Sequence, residues 1–142
     1  MISLAARCLV EGDAEGAVAL LSTPLSFWGG LDTASGRVID RSHPAFGADI
    51  AGRILAMPSG RGSSSASSVL AEAIRRGTAP AAIILTIADP IITVGAIVAR
   101  KLYGKACPVV VCDAAGFERL SEGMRVRVIA REGLCAIVAA GV

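Results

Sequence analysis

The chain has 142 residues, with 14 Lys and Arg against 12 Asp and Glu, a formal net charge of +2 and a hydrophobic content of 54%. That length predicts one domain, residues 1–142, with room for a substantial core. No block of Lys or Arg is present, which argues against a nucleic-acid partner. So much apolar sequence in a small domain indicates buried strands, and it is also compatible with an apolar face that a partner covers.

The pattern of apolar residues predicts alternating strands and helices. Strands are predicted at residues 3–10, 16–21, 36–40, 53–57, 81–86, 109–112, 125–130 and 136–140, and helices at 65–76 and 92–101, with a helical turn at 117–120. A turn at Gly12-Asp13 and a long loop over residues 22–35 connect the first three strands. Mixed strands with helices on one side predict a layered α/β domain.

Residues 79–99 form a strongly apolar stretch that has the length of a membrane span. Asp89-Pro90 interrupts it in the middle, so we interpret it as a strand followed by a helix and expect no contact with a membrane. The N-terminus has no basic segment followed by an apolar one, and we therefore expect no signal peptide.

The four cysteines, Cys8, Cys107, Cys112 and Cys135, form no Cys-x-x-Cys pair. Each lies among apolar residues typical of strands, which predicts buried thiols in a reducing, cytoplasmic compartment. Their spacing does not match that of a zinc or iron–sulfur site, so we expect no metal ligands on this chain.

A Gly- and Ser-rich turn separates the strand at 53–57 from the helix at 65–76. Its glycines allow a tight backbone, and its hydroxyl groups lie where a helix has unpaired N–H groups, so the turn could hold an anion. No Lys follows Gly62 as in a Walker loop, and Ser65 stands where a dinucleotide fingerprint needs Gly. The alternative interpretation is structural, because Ser is a favoured N-cap, and it applies most to Ser64 and Ser65.

Three other features have a structural and a functional interpretation. Asp89 lies between a strand and a helix and is predicted to be a helix cap. His43, the only histidine, lies beside Pro44 without a visible carboxylate partner and is predicted to be structural. The segment Phe27-Trp28-Gly29-Gly30 either anchors the long loop to the core or contacts substrate or another subunit.

The turn Gly60-Arg61-Gly62-Ser63-Ser64-Ser65 resembles the Gly-x-Gly-Ser-Ser-Arg turn in the small, swivelling domain of aconitase-type hydro-lyases. The wider pattern is similar to the small subunit of the aconitase X family, most clearly over residues 22–99. The motifs that carry this resemblance are Leu25-Ser26-Phe27-Trp28-Gly29-Gly30-Leu31-Asp32, Gly36-Arg37-Val38-Ile39-Asp40, His43-Pro44, Gly52-Arg53, Pro58-Ser59-Gly60-Arg61-Gly62-Ser63 and Ala88-Asp89-Pro90-Ile91-Ile92-Thr93-Val94-Gly95-Ala96.

The resemblance implies a swivelling β/β/α fold and a catalytic serine. Ser63 is then the base that removes a proton α to a carboxylate, helped by backbone N–H groups and a nearby cation. The residues expected to contact substrate are its neighbours Ser59, Gly60, Arg61, Gly62 and Ser64. Ser65 replaces the Arg that binds a substrate carboxylate in aconitase, so that role is expected to pass to Arg61 or to the partner chain.

The same resemblance implies a large catalytic subunit as partner, carrying an iron–sulfur cluster or iron centre, with no cofactor on this chain alone. The expected reaction is dehydration of a small hydroxy acid. Cis-3-hydroxy-L-proline is favoured over 5-phosphomevalonate, because the phosphomevalonate branch tends towards Lys at position 61 and Thr at position 64. Two other hypotheses remain open: a non-catalytic anion-binding module, and a scaffold protein that only holds a complex together.

Overall fold

The computed structural model of the chain describes residues 2–140. Its eleven elements in chain order are β1 (Ser3–Ala5), β2 (Arg7–Val10), β3 (Gly12–Leu20), β4 (Ile54–Ala56), α1 (Ala66–Arg76), β5 (Ala82–Leu85), α2 (Pro90–Tyr103), β6 (Val109–Val111), α3 (Ala114–Glu118), β7 (Arg125–Arg131) and β8 (Leu134–Ala139). The strands follow one another in the hydrogen-bonded order β1-β8-β7-β3-β4-β5-β6-β2. The structure confirms a mixed α/β fold.

Strand β3 joins a parallel half of the sheet to an antiparallel half. Its first part, from Gly12 to Ala17, pairs antiparallel with β7, and its last three residues pair parallel with β4. The parallel half continues through β5 and β6, while β8 and β1 extend the antiparallel half. One long strand thus belongs to both halves, and each half can bury a face against the other.

Two hydrophobic cores lie on opposite faces of the parallel half. Strand residues alternate between them: Leu55 and Ile83 pack in the core beneath α1 and α2, whereas Ile54 and Ile84 pack in the other. The second core also contains Val126, Val128 and Ile137 from the antiparallel half. The result is three layers, two of strand and one of helix, with the central layer buried on both faces.

The two long helices lie against each other because small residues allow close approach. A Cβ atom on Gly95 of α2 would lie 2.7 Å from the Ser67 carbonyl oxygen of α1, so only glycine fits there. The Ser67 hydroxyl donates to the Ile91 carbonyl oxygen at 2.6 Å. Both helices end at a glycine with positive φ, Gly77 after α1 and Gly104 after α2. The N-terminal turns of α1 and α2 therefore share one end of the molecule.

Several predicted element bounds are wrong. Residues 3–10 form two strands with different partners, since β1 pairs with β8 and β2 with β6. Gly12-Asp13 is not a turn, because both residues lie inside β3, where Gly12 has the extended φ of 159°. Residues 36–40 make only isolated bridges, Leu31 to Val38 and Arg37 to Asp49.

The other predicted elements are present with shifted ends. The apolar stretch 79–99 divides into β5 and the first part of α2, as predicted. Within residues 2–140, no helix is long and apolar enough to cross a membrane. The third helix, predicted at 117–120, lies at Ala114–Glu118. Its Phe117 packs into the core between the two strand layers, so the helices are not all on one side of the sheet.

Candidate functional site

The Ser-rich turn connects β4 to α1 at the end of the parallel strands. It is fixed at its start by Pro58, whose carbonyl oxygen accepts hydrogen bonds from the Thr86 N–H at 3.0 Å, the Thr86 hydroxyl at 2.8 Å and the Ile87 N–H at 3.2 Å. Met57, the residue before Pro58, is fully buried, and its N–H donates to the Ile84 carbonyl oxygen at 3.1 Å. Strand ends of this kind commonly carry ligand sites in α/β proteins.

Ser63 lies half-buried in the turn, and its hydroxyl oxygen is already an acceptor. The Ser65 N–H donates to Ser63 Oγ at 3.1 Å. A hydrogen bond donated to this oxygen stabilises negative charge on it, which a serine base requires. The same bond also closes a local turn, so it serves a structural role as well.

The sequence predicted unpaired N–H groups at the start of α1, and this prediction is wrong. The Ala66 and Ser67 N–H groups donate to the carbonyl oxygens of Ser63 and Ser64, at 3.0 and 3.2 Å. Ser65 is the N-cap but has helical backbone angles, and its side chain makes no capping hydrogen bond. Within residues 2–140, the backbone N–H groups of residues 61–64 have no acceptor. The donors available to an anion therefore belong to the turn rather than to the helix.

The two glycines of the turn are packed against other segments. A Cβ atom on Gly60 would collide with Asp89 Oδ2 and would lie 2.8 Å from Ile92 Cδ1. Gly62 has φ +96°, and a Cβ atom there would collide with the Ser26 hydroxyl and lie 2.8 Å from Ser26 Cβ. Sequence reasoning identified both glycines but not the role of Ser26, although that residue lies in the Leu25–Asp32 motif.

A small pocket of about 50 Å³ opens beside the turn. Its two charged lining residues, Arg61 and Asp89, contribute opposite charges, and the remainder is mainly apolar: Leu25, Phe27, Gly62, Ala66, Ile91 and Ile92. Arg61 is exposed and makes no ion pair within residues 2–140. The pocket thus places one cation and one carboxylate beside an apolar wall, a combination suited to a small molecule that carries both charges on a hydrocarbon body.

The predicted site residues are only partly brought together. Arg61 and Gly62 line the pocket, while Ser63 lies one residue further along the same turn. The remaining three, Ser59, Gly60 and Ser64, are in the turn but do not line the pocket. Asp89, which the sequence indicated as a cap, both lines the pocket and caps α2, its Oδ1 accepting from the Ile91 and Ile92 N–H groups at 2.8 and 3.1 Å.

The aromatic loop is anchored to the core, as one of its two interpretations predicted, and contact with substrate or another subunit stays a prediction. Phe27 is buried and lines the pocket, so it anchors the loop to the core. Trp28 is 58% exposed, and its carbonyl oxygen accepts from the Ser26 hydroxyl at 3.1 Å. The anchor and the exposed aromatic ring are therefore adjacent residues, next to the segment that contacts Gly62.

His43 has a structural role, as predicted. It is buried, its Nδ1 accepts from the Ala45 N–H at 2.9 Å, and its Nε2 lies 2.9 Å from the Thr23 carbonyl oxygen. Since Nδ1 accepts a hydrogen bond from the Ala45 N–H, Nε2 carries the ring hydrogen and donates to the Thr23 carbonyl oxygen. Both ring nitrogens are engaged, and neither is available as a base.

The cysteines do not form a ligand set for a metal or an iron–sulfur cluster. Within residues 2–140, no three His, Cys, Asp or Glu side chains lie close enough to hold a metal ion. Cys107 is fully buried, and that burial raises the pKa of its thiol to about 12. Desolvation also raises the pKa of Cys8, Cys112 and Cys135. High thiol pKa values disfavour the thiolate that such a cluster needs.

A sequence model of the family described as "Aconitase X swivel domain" matches residues 3–137. The chain belongs to the aconitase X swivel-domain family. Its fold agrees with that assignment. The crystal structure of Thermococcus kodakaraensis aconitase X in its holo-form superposes with a TM-score of 0.86 and 36% identity, covering 99% of this chain and 100% of that one.

Relatives of this swivel domain fall under two names. It is 50% identical over 115 residues to cis-3-hydroxy-L-proline dehydratase from Pseudomonas aeruginosa, covering 81% of this chain and 20% of the relative. It is 38% identical over 140 residues to the phosphomevalonate dehydratase small subunit from Pyrococcus furiosus, covering 99% of this chain and 98% of the relative. The chain thus spans about a fifth of the first relative and nearly all of the second.

Proposed function

We propose that this chain is the small subunit of an aconitase-type dehydratase and that Ser63 is its catalytic base. The observation that carries the proposal is the position of Ser63 in a swivel-domain turn, with its Oγ accepting the Ser65 N–H and Arg61 lining the adjacent pocket. Relatives in the family are named dehydratases. The chain supplies the base, and another chain supplies the rest of the site.

The turn supports removal of a proton α to a carboxylate. The Ser65 N–H stabilises negative charge on Ser63 Oγ, and the N–H groups of residues 61–64 can donate hydrogen bonds to an anionic group of the substrate. Arg61 binds the substrate carboxylate. In aconitase an Arg at the position of Ser65 has this role, and this chain has no Arg there. The apolar wall of the pocket packs against the hydrocarbon part of the substrate.

The leaving hydroxyl group needs an electrophile, which we assign to a large catalytic subunit. An iron–sulfur cluster or iron centre on that subunit would supply Lewis acidity. The described residues of this chain do not fit such a group, as the raised pKa values and scattered positions of the cysteines indicate. The isolated chain should therefore fold but have no dehydratase activity.

The substrate we favour is cis-3-hydroxy-L-proline, converted towards pyrroline-2-carboxylate. The relative with 50% identity bears that activity in its name. The pocket offers one cation, one carboxylate and an apolar wall, which suits a small zwitterionic amino acid better than a phosphorylated hydroxy acid.

A second candidate is 5-phosphomevalonate. The observation in its favour is length, because this chain covers 98% of the Pyrococcus furiosus small subunit but only 20% of the Pseudomonas aeruginosa dehydratase. In that case the phosphate contacts would come mainly from the large subunit.

The decisive experiment is reconstitution with a large aconitase X subunit and a direct comparison of the two substrates. We expect a higher kcat/KM for cis-3-hydroxy-L-proline. A clear preference for 5-phosphomevalonate would overturn the substrate assignment and leave the role of Ser63 intact. Turnover by this chain alone would contradict the subunit proposal. Tight phosphate binding by the isolated chain, with no activity in any complex, would favour the anion-binding module.

A further inference from the structure

Asp89 contacts two segments at once, each through a different carboxylate oxygen. Its Oδ1 accepts the first N–H groups of α2, from Ile91 at 2.8 Å and from Ile92 at 3.1 Å. Its Oδ2 occupies the space that a side chain on Gly60 would need. Because one carboxylate holds the helix and touches the turn, the position of the turn depends on this side chain.

The frame behind Asp89 is rigid. The Ser67 hydroxyl of α1 donates to the Ile91 carbonyl oxygen at 2.6 Å, and Gly95 of α2 packs directly on the Ser67 backbone. Asp89 itself has an extended N-cap conformation, with φ −124° and ψ 110°, and Pro90 restricts the backbone of the residue before it, which is Asp89. The carboxylate therefore has little freedom to move, and it transmits the position of α2 to Gly60.

We propose that Asp89 is a positioning residue, which fixes the location of Ser63 through its contact with Gly60. The inference rests on the proposed role of Ser63 as the base. Only Arg61 and Gly62 separate Gly60 from Ser63, and the turn is fixed on its other sides by Ser26 against Gly62 and by Thr86 on Pro58. Removing the Asp89 carboxylate leaves Ile92 Cδ1 as the remaining close contact of α2 with Gly60 and so loosens the side of the turn that faces α2.

The structure provides a matched control in Asp113. This residue is the N-cap of α3, has an extended backbone, and accepts the Gly116 N–H through Oδ1 at 2.7 Å. It performs the same capping function as Asp89 but, unlike Asp89, is not packed against Gly60 of the Ser-rich turn. Loss of a cap alone should have similar consequences at both positions, whereas loss of positioning should appear only at Asp89.

The first test is kinetic, in the complex with the large subunit. We expect Asp89→Ala to lower kcat by about 10- to 100-fold, because a misplacement of about 1 Å can cost that much in rate, and to raise KM as well, because Arg61 lies on the same turn. Asp89→Asn should recover most of kcat, since Asn keeps the cap and the shape. Asp113→Ala should have near wild-type kinetics. An Asn variant as poor as the Ala variant would show that the charge acts directly, and would overturn the positioning role.

The second test does not depend on activity. Amide hydrogen exchange of the full-length chain should show faster exchange over residues 65–67, whose N–H groups are hydrogen-bonded to Ser63 and Ser64, in Asp89→Ala than in the wild type, and no such change in Asp113→Ala. Equal exchange over this segment in all three proteins would overturn the inference. If the wild-type complex shows no dehydratase activity, the proposed function fails, and the exchange data still decide whether Asp89 holds the turn.

Discussion

Gly62 packs directly against Ser26, so closely that a Cβ atom at position 62 would collide with the Ser26 hydroxyl oxygen. The contact joins the long loop to the Ser-rich turn, one residue before Ser63. Gly62 also has φ +96°, a backbone conformation that residues with side chains rarely adopt. The close contact and the backbone conformation independently require glycine at this position.

We therefore expect Gly62→Ala to lower both stability and activity. An alanine in this backbone conformation costs about 1–3 kcal/mol of stability. In addition, the new Cβ atom collides with Ser26 and displaces the turn that carries Ser63. Gly47→Ala is the matched control, because Gly47 has φ +86° with no atom near the position of a new Cβ. Thermal unfolding should show a larger loss for Gly62→Ala than for Gly47→Ala. Equal losses, with full activity in the complex, would show that the contact with Ser26 has no functional role.

Local patterns in the sequence were sufficient for the elements next to the site. The helix predicted at 65–76 is α1 at Ala66–Arg76, and Asp89 caps α2 as expected. Both predictions rest on signals within one or two helical turns: apolar spacing, Gly77 as a stop and Asp89 before Pro90. Such signals do not depend on distant parts of the chain.

The sequence could not reveal features that depend on distant contacts. Gly12 looked like a turn residue, but it lies in β3, where Pro108 would be 2.9 Å from a Cβ atom. That glycine is needed for close approach of a neighbouring segment rather than for a turn. The contact between Ser26 and Gly62 likewise joins segments 36 positions apart, which no local period can indicate.

Replacing His43 tests whether this residue has a structural or a catalytic role. In His43→Ala, the Ala45 N–H and the Thr23 carbonyl oxygen both lose their partner, at a cost of about 1–3 kcal/mol. We expect a lower melting temperature and a kcat close to wild type in the assembled enzyme. Ser42→Ala, which removes an exposed hydroxyl bonded to Asp40 in the same loop, should cost less. Loss of kcat without loss of stability would contradict the structural assignment.

The ion pair between Arg53 and Glu122 predicts a pH dependence of stability. Arg53 holds the pKa of the Glu122 carboxyl below its ordinary value, so the fold favours the charged form. This contribution is complete above about pH 4.3, the ordinary glutamate pKa, and is lost as pH falls through the lower pKa of the folded state. Since the Glu122 side chain is 61% exposed, we expect only about 0.2–1 kcal/mol.

The measurement is urea unfolding of the wild type and Glu122→Gln between pH 7 and pH 3. Gln retains the acceptor for the Leu20 N–H, which donates to Glu122 Oε1 at 2.9 Å, and replaces the charged oxygen that faces Arg53 with an uncharged NH2 group. The difference in unfolding free energy should be constant near neutrality and should shrink below about pH 4.3. A difference that grows on acidification would show that the sign of the pKa shift is wrong.

Ser63→Ala tests the central assignment. In the assembled enzyme it should lower kcat by about 10²–10⁴-fold, as expected for loss of a general base. Stability should fall by no more than about 1 kcal/mol, because the variant loses one local hydrogen bond, from the Ser65 N–H. Binding of the large subunit should be nearly unchanged. Steady-state kinetics measures the effect on kcat, thermal unfolding the effect on stability, and subunit titration the effect on binding.

Ser64→Ala is the matched control for Ser63→Ala. Ser64 is exposed in the same turn, and within residues 2–140 its hydroxyl makes no hydrogen bond. Both variants remove one hydroxyl from neighbouring positions, so general damage to the turn would affect them alike. Because only the Ser63 oxygen has a donor directed at it, we expect the large loss of kcat in that variant alone. A loss in Ser64→Ala with Ser63→Ala near wild type would transfer the role of base to Ser64.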